Sequence, residues 1–343
     1  MTSSLLAPET VHRRLLDAAA PRLGFAPERP LPPQREALAA KLAELLACPE
    51  GGDSLDLRVE AEARGEGFVE RRLVLTSEPG AEVPCHLLVP EGAAGPVPVV
   101  LCLQGHTSGM HVSLGRAGDG SVRDYALQAV RRGYAALALE VRGFGERRDR
   151  RPAEAREGRF DPDSIDPNVT CKHAAMVALL LGRTSLGEKI LDLRRAIDAL
   201  ANFPEVDSGR VYAVGNSGGG TLAWYAACVE PRLRGLILGS CFATYASSIG
   251  SVDHCCDNYL PGALRWFDLP DLAALVAPRP LVVVMGRADP LFPLAGVEAA
   301  YRQTRAVYEA AGAADRCRLI LCEGGHGFRP REAWDAFAEL VGG

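Results

Sequence analysis

Hydrophobic positions along the chain change their spacing twice, and each change marks a different kind of structure. Over the first fifty residues they recur at helical spacing. Val11, Leu15 and Leu16 form one apolar stripe, and Leu38, Leu42, Leu45 and Leu46 form another at i, i+4, i+7 and i+8. Between them, Pro27-Glu28-Arg29-Pro30-Leu31-Pro32-Pro33 predicts a stiff connector that also starts the second helix. Periodicity leaves these helices two partners, the main domain or a second subunit, so a homo-oligomer built through them stays open.

From Leu57 the period falls to two. Leu57 to Ala63 and Val69 to Leu75 alternate apolar and polar residues, and Pro84 to Pro90 follows them, a set that reads as half-buried antiparallel strands. From Val97 the strands become continuous apolar runs: Val97–Leu103, Tyr134–Leu139, Val211–Val214, Leu233–Leu238, Leu281–Met285 and Cys317–Leu321. Helix-forming segments separate them: Arg123–Arg132, Ser185–Phe203, Ser217–Val229, Val297–Ala311 and Pro330–Val341. Strands apolar on both faces, alternating with helices, predict an α/β fold with a mostly parallel central sheet covered by helices on both sides. The chain thus divides into a helical N-terminal extension, residues 1–56, and a main domain, residues 57–343. Two stretches break the alternation, 143–169 and 242–268. Long excursions of this kind on the C-terminal side of a parallel sheet commonly form substrate pockets.

The junction at Gly215-Asn216-Ser217-Gly218-Gly219 falls where an apolar strand meets a helix. A turn this tight needs small residues on both sides of the serine, and it sets Ser217 at a helix N-terminus, where developing negative charge is favoured. A serine hydroxyl needs a base to become a nucleophile, and the base needs a carboxylate to orient it. His326, in Glu323-Gly324-Gly325-His326-Gly327-Phe328, follows the last strand in a glycine-flanked loop; His12, His86 and His173 read as structural. Asp289, in Gly286-Arg287-Ala288-Asp289-Pro290, follows the strand ending at Met285. Ser217, Asp289 and His326 therefore come in the order, and at the strand ends, that a hydrolase of alternating α/β build requires. For the oxyanion, the backbone N–H of Gly218 and that of His106, in Gln104-Gly105-His106-Thr107, are the candidate donors, with Thr107 as the alternative. Thr107, Asn216, His254, Tyr259 and Trp266 are candidate pocket residues.

Composition narrows the partners. With 48% hydrophobic residues, 24% charged and a net charge of −5, the chain has a sizeable core and no basic surface for nucleic acid. The cluster Arg147-Arg148-Asp149-Arg150-Arg151 is broken by an acid and reads as a solvated face or local ion-pair network. No run approaches the roughly 20 apolar residues that span a bilayer. The N-terminus lacks a signal-peptide pattern, so a cytoplasmic protein with reduced cysteines is expected. His254-Cys255-Cys256-Asp257 has metal-ligand residue types but no second motif at zinc spacing, and reads as structural or pocket-lining. Asp161, Asp163 and Asp166 depart from calcium-loop spacing and are interrupted by Pro162, which points to solvated loop acids.

Together Gln104-Gly105-His106, Arg142-Gly143-Phe144-Gly145-Glu146-Arg147, Gly215-Asn216-Ser217-Gly218-Gly219-Gly220, Ala277-Pro278-Arg279-Pro280 and Gly325-His326 resemble the α/β-hydrolase superfamily. Within it they look most like acetylxylan esterases, cephalosporin deacetylases and dienelactone-hydrolase-like proteins. The resemblance covers residue 57 to the end. It implies a Ser-Asp-His carboxylesterase acting on small acyl esters through an acyl-enzyme, with no metal or organic cofactor. Dienelactone hydrolases proper use cysteine as nucleophile, so Ser217 groups this chain with the serine esterases. Glu140, where related proteins carry Asp, is expected to pair with Arg142 and fix its loop. A peptidase or amidase, an acyltransferase, and a catalytically silent binding protein of the same fold are the competing readings.

Overall fold

The computed structural model describes residues 7–118, 122–149 and 167–342. A single nine-stranded sheet runs in the order β1-β2-β3-β5-β4-β6-β7-β8-β9. Its strands are β1 Arg58–Gly65, β2 Phe68–Glu78, β3 Ala81–Pro90, β4 Val97–Leu103, β5 Ala135–Leu139, β6 Val206–Asn216, β7 Leu233–Gly239, β8 Leu281–Gly286 and β9 Cys317–Cys322. β1, β2 and β3 pair antiparallel, and β3 meets β5 antiparallel; from β5 to β9 every neighbour is parallel. The helices are α1 Pro8–Asp17, α2 Leu31–Leu46, α3 Tyr125–Val130, α4 Pro167–Leu180, α5 Ser185–Ala199, α6 Gly218–Val229, α7 Ala273–Val276, α8 Leu294–Ala310 and α9 Pro330–Gly342.

Successive residues of a strand point to opposite faces, so each continuous apolar run feeds two cores at once. Val99, Leu101 and Leu103 of β4 join one core, while Val100 and Cys102 join the other. The first core holds α2, α5, α6 and α8; the second holds α3 and α9, with Tyr125, Trp334 and Phe337 fully buried. This is the two-sided cover that the sequence pattern implies. Among the described residues no helix is long and apolar enough to cross a membrane.

The first helices divide the N-terminal expectation between them. Leu38, Leu42 and Leu46 of α2 are buried in the main core, and the Leu46 carbonyl accepts a hydrogen bond from Thr184 Oγ1 at 2.5 Å. The α2 stripe is thus taken by the rest of the chain. α1 buries none of its residues, and Val11 and Leu15 are exposed.

Two expectations are corrected. β1 is not half-buried: all its residues are exposed, and its Arg58, Glu60, Glu62 and Arg64 give the sheet a charged edge that resists pairing with another chain. Nor does Arg142 pair with Glu140. Arg142 donates to Asp192 of α5 through Nε at 2.8 Å and a terminal nitrogen at 2.9 Å, and it pairs with Glu78 at 2.8 Å and Glu188 at 3.4 Å. Arg147 adds a second cation on Asp192 at 2.6 Å. Glu140 instead accepts the N–H groups of Met110 at 2.9 Å and Glu146 at 3.3 Å and the Gln104 side-chain amide at 3.2 Å. Loop N–H groups have no ladder partner, so the buried carboxylate satisfies them, while α5 supplies the arginine's counter-charge. Gly145, at φ 46°, sits where a Cβ would overlap the Glu140 carboxylate. Of the excursion 143–169, residues 150–166 lie outside the described residues, and with them Asp161, Asp163 and Asp166.

Burial raises the Asp192 pKa, but Arg147 and Arg142 outweigh it and hold the carboxyl below its ordinary value. A depressed folded pKa contributes stability above the unfolded value and loses it as pH falls through the folded one. Asp192→Asn is therefore expected to cost about 3 kcal/mol at neutral pH, as breaking one side of a buried ion pair does. Urea denaturation measures the loss, and the gap from wild type should shrink below about pH 4.

Candidate active site

Strand β6 ends at Asn216 and α6 begins at Gly218, leaving Ser217 alone in the turn with φ 55° and ψ −128°. A non-glycine residue at positive φ is strained, and here the surroundings hold it. The Ser217 N–H donates to the Gly239 carbonyl at 2.8 Å, and its carbonyl accepts from Thr221 at 2.9 Å. Side chains at the flanking glycines have no room: a Cβ on Gly219 would overlap the Leu103 carbonyl oxygen, and one on Gly215 would overlap Gly219 itself. Gly218 opens the helix, so its N–H has no intrahelical acceptor and remains available at the serine.

Asp289 and His326 come together from the ends of β8 and β9. The β8 strand closes on Gly286, which passes so near the Gly324 and Gly325 carbonyls that a Cβ would meet the Gly324 oxygen at 2.6 Å. Bonds from the Arg287 N–H to Cys322 at 2.9 Å and from the Ala288 N–H to Gly324 at 3.0 Å clip the two loops together. Asp289 is 4% exposed; its Oδ1 accepts the N–H groups of Leu291 at 2.9 Å and Phe292 at 3.3 Å. Its Oδ2 accepts from His326 Nδ1 at 2.9 Å. A carboxylate only accepts, so Nδ1 carries the proton and Nε2 is left as a base. The Phe292 ring stacks on the imidazole at 6.0 Å between centroids. Ser217 and His326 line one cavity of about 450 Å³. The structure records no direct hydrogen bond between them, a contact that often tightens only when substrate is bound.

The loop after β4 brings in groups that the sequence did not connect. His106 lines the same cavity, and its ring lies against Gly218, where a Cβ would approach Nδ1 at 2.7 Å. His106 Nε2 donates to Asp257 Oδ1 at 2.9 Å, and Lys189 of α5 donates to Asp257 Oδ2 at 2.6 Å. Burial lowers the His106 pKa, but hydrogen bonds to Asp257 and Cys255 more than offset it and push it up to about 9. Burial raises the pKa of Asp257, and Lys189 and His106 outweigh it to hold the carboxyl well below the carboxylate range. Asp257 stood in view within the His254–Asp257 stretch; its partners lie 151 and 68 residues away, and no local spacing reports them.

The acetyl xylan esterase family matches residues 69–260, more than half of the sequence. The chain belongs to the acetyl xylan esterase family. It is a carboxylic ester hydrolase of α/β-hydrolase fold. The Bacillus subtilis (strain 168) protein YtaP, provisionally named a hydrolase, is 27% identical over 279 residues, spanning 79% of this chain and 85% of its own. The fold is shared with a Bacteroides fragilis protein provisionally described as an acetyl xylan esterase (TM-score 0.78, 17% identity, 99% of this chain and 95% of that one). It is shared too with a Solibacter usitatus glucuronoyl esterase (TM-score 0.66, 16% identity, 94% and 96%). An acetyl xylan esterase from Paenibacillus sp. R4 has TM-score 0.58 and 17% identity over 96% and 98%.

In this family member the remaining candidate pocket residues separate. His254 lines the cavity, its Nε2 bonded to Ser248 Oγ at 3.1 Å and its ring set edge-on to Phe292. Burial lowers its pKa. Thr107 Oγ1 turns back on its own loop, taking the Gly109 N–H at 3.4 Å. The Asn216 side chain is buried behind the turn, against Gly239. Two others lie away from this cavity. Tyr259 lines a separate groove beside Leu15 and Leu16 of α1, and the Trp266 ring lies under Lys41 and Arg22, 4.2 and 5.1 Å from its centroid. The excursion after β7 runs away from the cavity past Asn258 and packs under the N-terminal helices. Lys172 of α4 and Thr221 of α6 are cavity residues that the sequence reading missed.

Gly219→Ala puts a methyl group into the Leu103 carbonyl. It should cost about 1–3 kcal/mol, the range for forced overpacking, and lower ester turnover by distorting the Ser217 turn. Denaturation midpoint and initial rates on one preparation check both effects.

Proposed function

We propose that this chain is a serine carboxylesterase for small acyl esters of the acetyl type, with Ser217 as nucleophile, His326 as base and Asp289 as orienting acid. The observation that carries the reading is the 2.9 Å hydrogen bond from His326 to buried Asp289, beside a cavity that Ser217 also lines. As Ser217 Oγ bonds to the ester carbonyl carbon, His326 Nε2 takes its proton, and Asp289 stabilises the imidazolium that forms. The oxygen of the tetrahedral intermediate gains negative charge and is held by the N–H groups of Gly218 and His106. The bond to the alcohol oxygen then breaks as His326 returns the proton to it. Water attacks the acyl-enzyme by the same route, releasing the carboxylic acid and restoring Ser217.

The family relationship supports an acetylated substrate, and the cavity's size and its apolar Leu291 and Phe292 suit a short acyl chain. Metal chemistry has no step in this scheme, and the acid, base and nucleophile all come from the chain.

Ser217→Ala should lower kcat on p-nitrophenyl acetate by about 10⁴–10⁶, and Asp289→Asn by about 10⁴, with unchanged far-ultraviolet circular dichroism. A fluorophosphonate probe should label wild type and not Ser217→Ala. Undiminished turnover by Ser217→Ala would remove the assignment, and faster cleavage of the matching anilide would make the protein an amidase. Wild type that hydrolyses no ester in a chain-length series and takes no label would point to a binding protein.

A further inference from the structure

Behind the cavity, two cysteines from distant segments meet the side chain of His106. Cys171 comes from the second turn of α4 and Cys255 from the excursion after β7, and their sulfurs are 3.0 Å apart. Asp257 completes the group. One ligand atom from each of His106, Cys171, Cys255 and Asp257 lies within 4.8 Å of every other. Cys171 and Asp257 are buried, at 1% and 4% exposure, while His106 and Cys255 also line the cavity, which leaves an entry path.

We propose that these four side chains form a binding site for a zinc-class divalent cation. Two thiolates and an imidazole select a borderline-soft ion over magnesium or calcium, which take oxygen ligands. Bond lengths of about 2.3 Å to sulfur and about 2.0–2.1 Å to nitrogen and oxygen set tetrahedral ligand atoms roughly 3.3–3.8 Å apart. The present separations of 3.0 Å between the sulfurs and 2.9 Å between His106 and Asp257 are those of ligands drawn together by hydrogen bonds, and a small outward movement admits the ion.

Charge supports the assignment. The thiols bind as thiolates and His106 as neutral imidazole, with the thiol protons and the imidazolium proton all leaving to solvent. The negative charges of two thiolates and a carboxylate then meet a divalent cation and the Lys189 ammonium, 2.6 Å from Asp257, and the buried group is neutral overall. The Phe144 ring stands edge-on to His106 at 5.4 Å between centroids, and Gly143 passes so close that a Cβ would lie 2.8 Å from the Cys171 Cα. An ion here would tie the His106 loop, α4 and the excursion after β7 together at one point. Its role is positioning, and it stands apart from the serine chemistry.

Full-length protein, reduced with a phosphine and stripped of metal, is titrated with Co²⁺ and then Zn²⁺ without oxygen. The expected result is one Co²⁺ per chain with a thiolate charge-transfer band and tetrahedral ligand-field absorption, displaced by Zn²⁺. Cys171→Ser and Cys255→Ser should each weaken Zn²⁺ binding by more than the roughly 10–100-fold that loss of an outer partner costs. Cys256→Ser should bind as wild type, because that thiol donates to the Lys172 carbonyl at 3.2 Å and is not one of the four grouped ligands. Ser217→Ala should keep full binding, so failure of the esterase reading leaves this one standing. Absence of the charge-transfer band in wild type overturns the proposal whether or not the cysteine variants fold. So does binding that survives loss of both Cys171 and Cys255, or binding that depends on Cys256.

Discussion

The structure depends most on the close packing of backbone around Ser217. β4, β6 and the start of α6 approach until only hydrogen fits at Gly215 and Gly219, and the Leu103 carbonyl closes against the turn. The serine is therefore held at positive φ by its neighbours rather than by its own preference. That single constraint puts a hydroxyl above the sheet, the first free N–H of α6 beside it, and the His106 ring against Gly218. The parallel core exists to make the approach rigid: β4, β7 and β8 are buried over almost their whole length, as is the end of β6 from Ala213 to Asn216, and both cores grip them.

Around this centre the loops are secured by buried charge. Glu140 collects the N–H groups of Met110 and Glu146, Arg142 and Arg147 converge on Asp192, and Lys189 and His106 share Asp257. Each acid is satisfied by more than one donor, which is what allows an ionised group to stay inside a protein. The arrangement suits an esterase, because long loops that carry a substrate cavity have few ladder bonds of their own. α5 is the shared anchor, giving Asp192 to one loop and Lys189 to the other.

Some of the site was legible residue by residue. The glycines beside Ser217 announce a turn without side chains, and Asp289 and His326 each follow an apolar run, so their positions at strand ends could be read directly. The mostly parallel sheet and its two-sided helical cover followed from runs such as Val97–Leu103 and Leu281–Met285. Arg142 was misassigned because Glu140 is its neighbour in sequence, whereas Asp192 is its neighbour in space. The positions of Tyr259 and Trp266 away from the Ser217 cavity were not legible, because a loop without periodicity carries no sign of which wall it covers.

What the sequence determined by itself was whatever depends on local sterics and periodicity: the elements, the fold class, the tight turn at Ser217 and the placement of Asp289 and His326 after their strands. What only the tertiary structure decided was which side chains meet across the chain. His106, Cys171, Cys255, Asp257 and Lys189 lie on separate loops and helices, and they converge because the sheet's packing fixes where those segments end. Contacts of that kind arise from three-dimensional closure, and spacing along the chain holds no record of them.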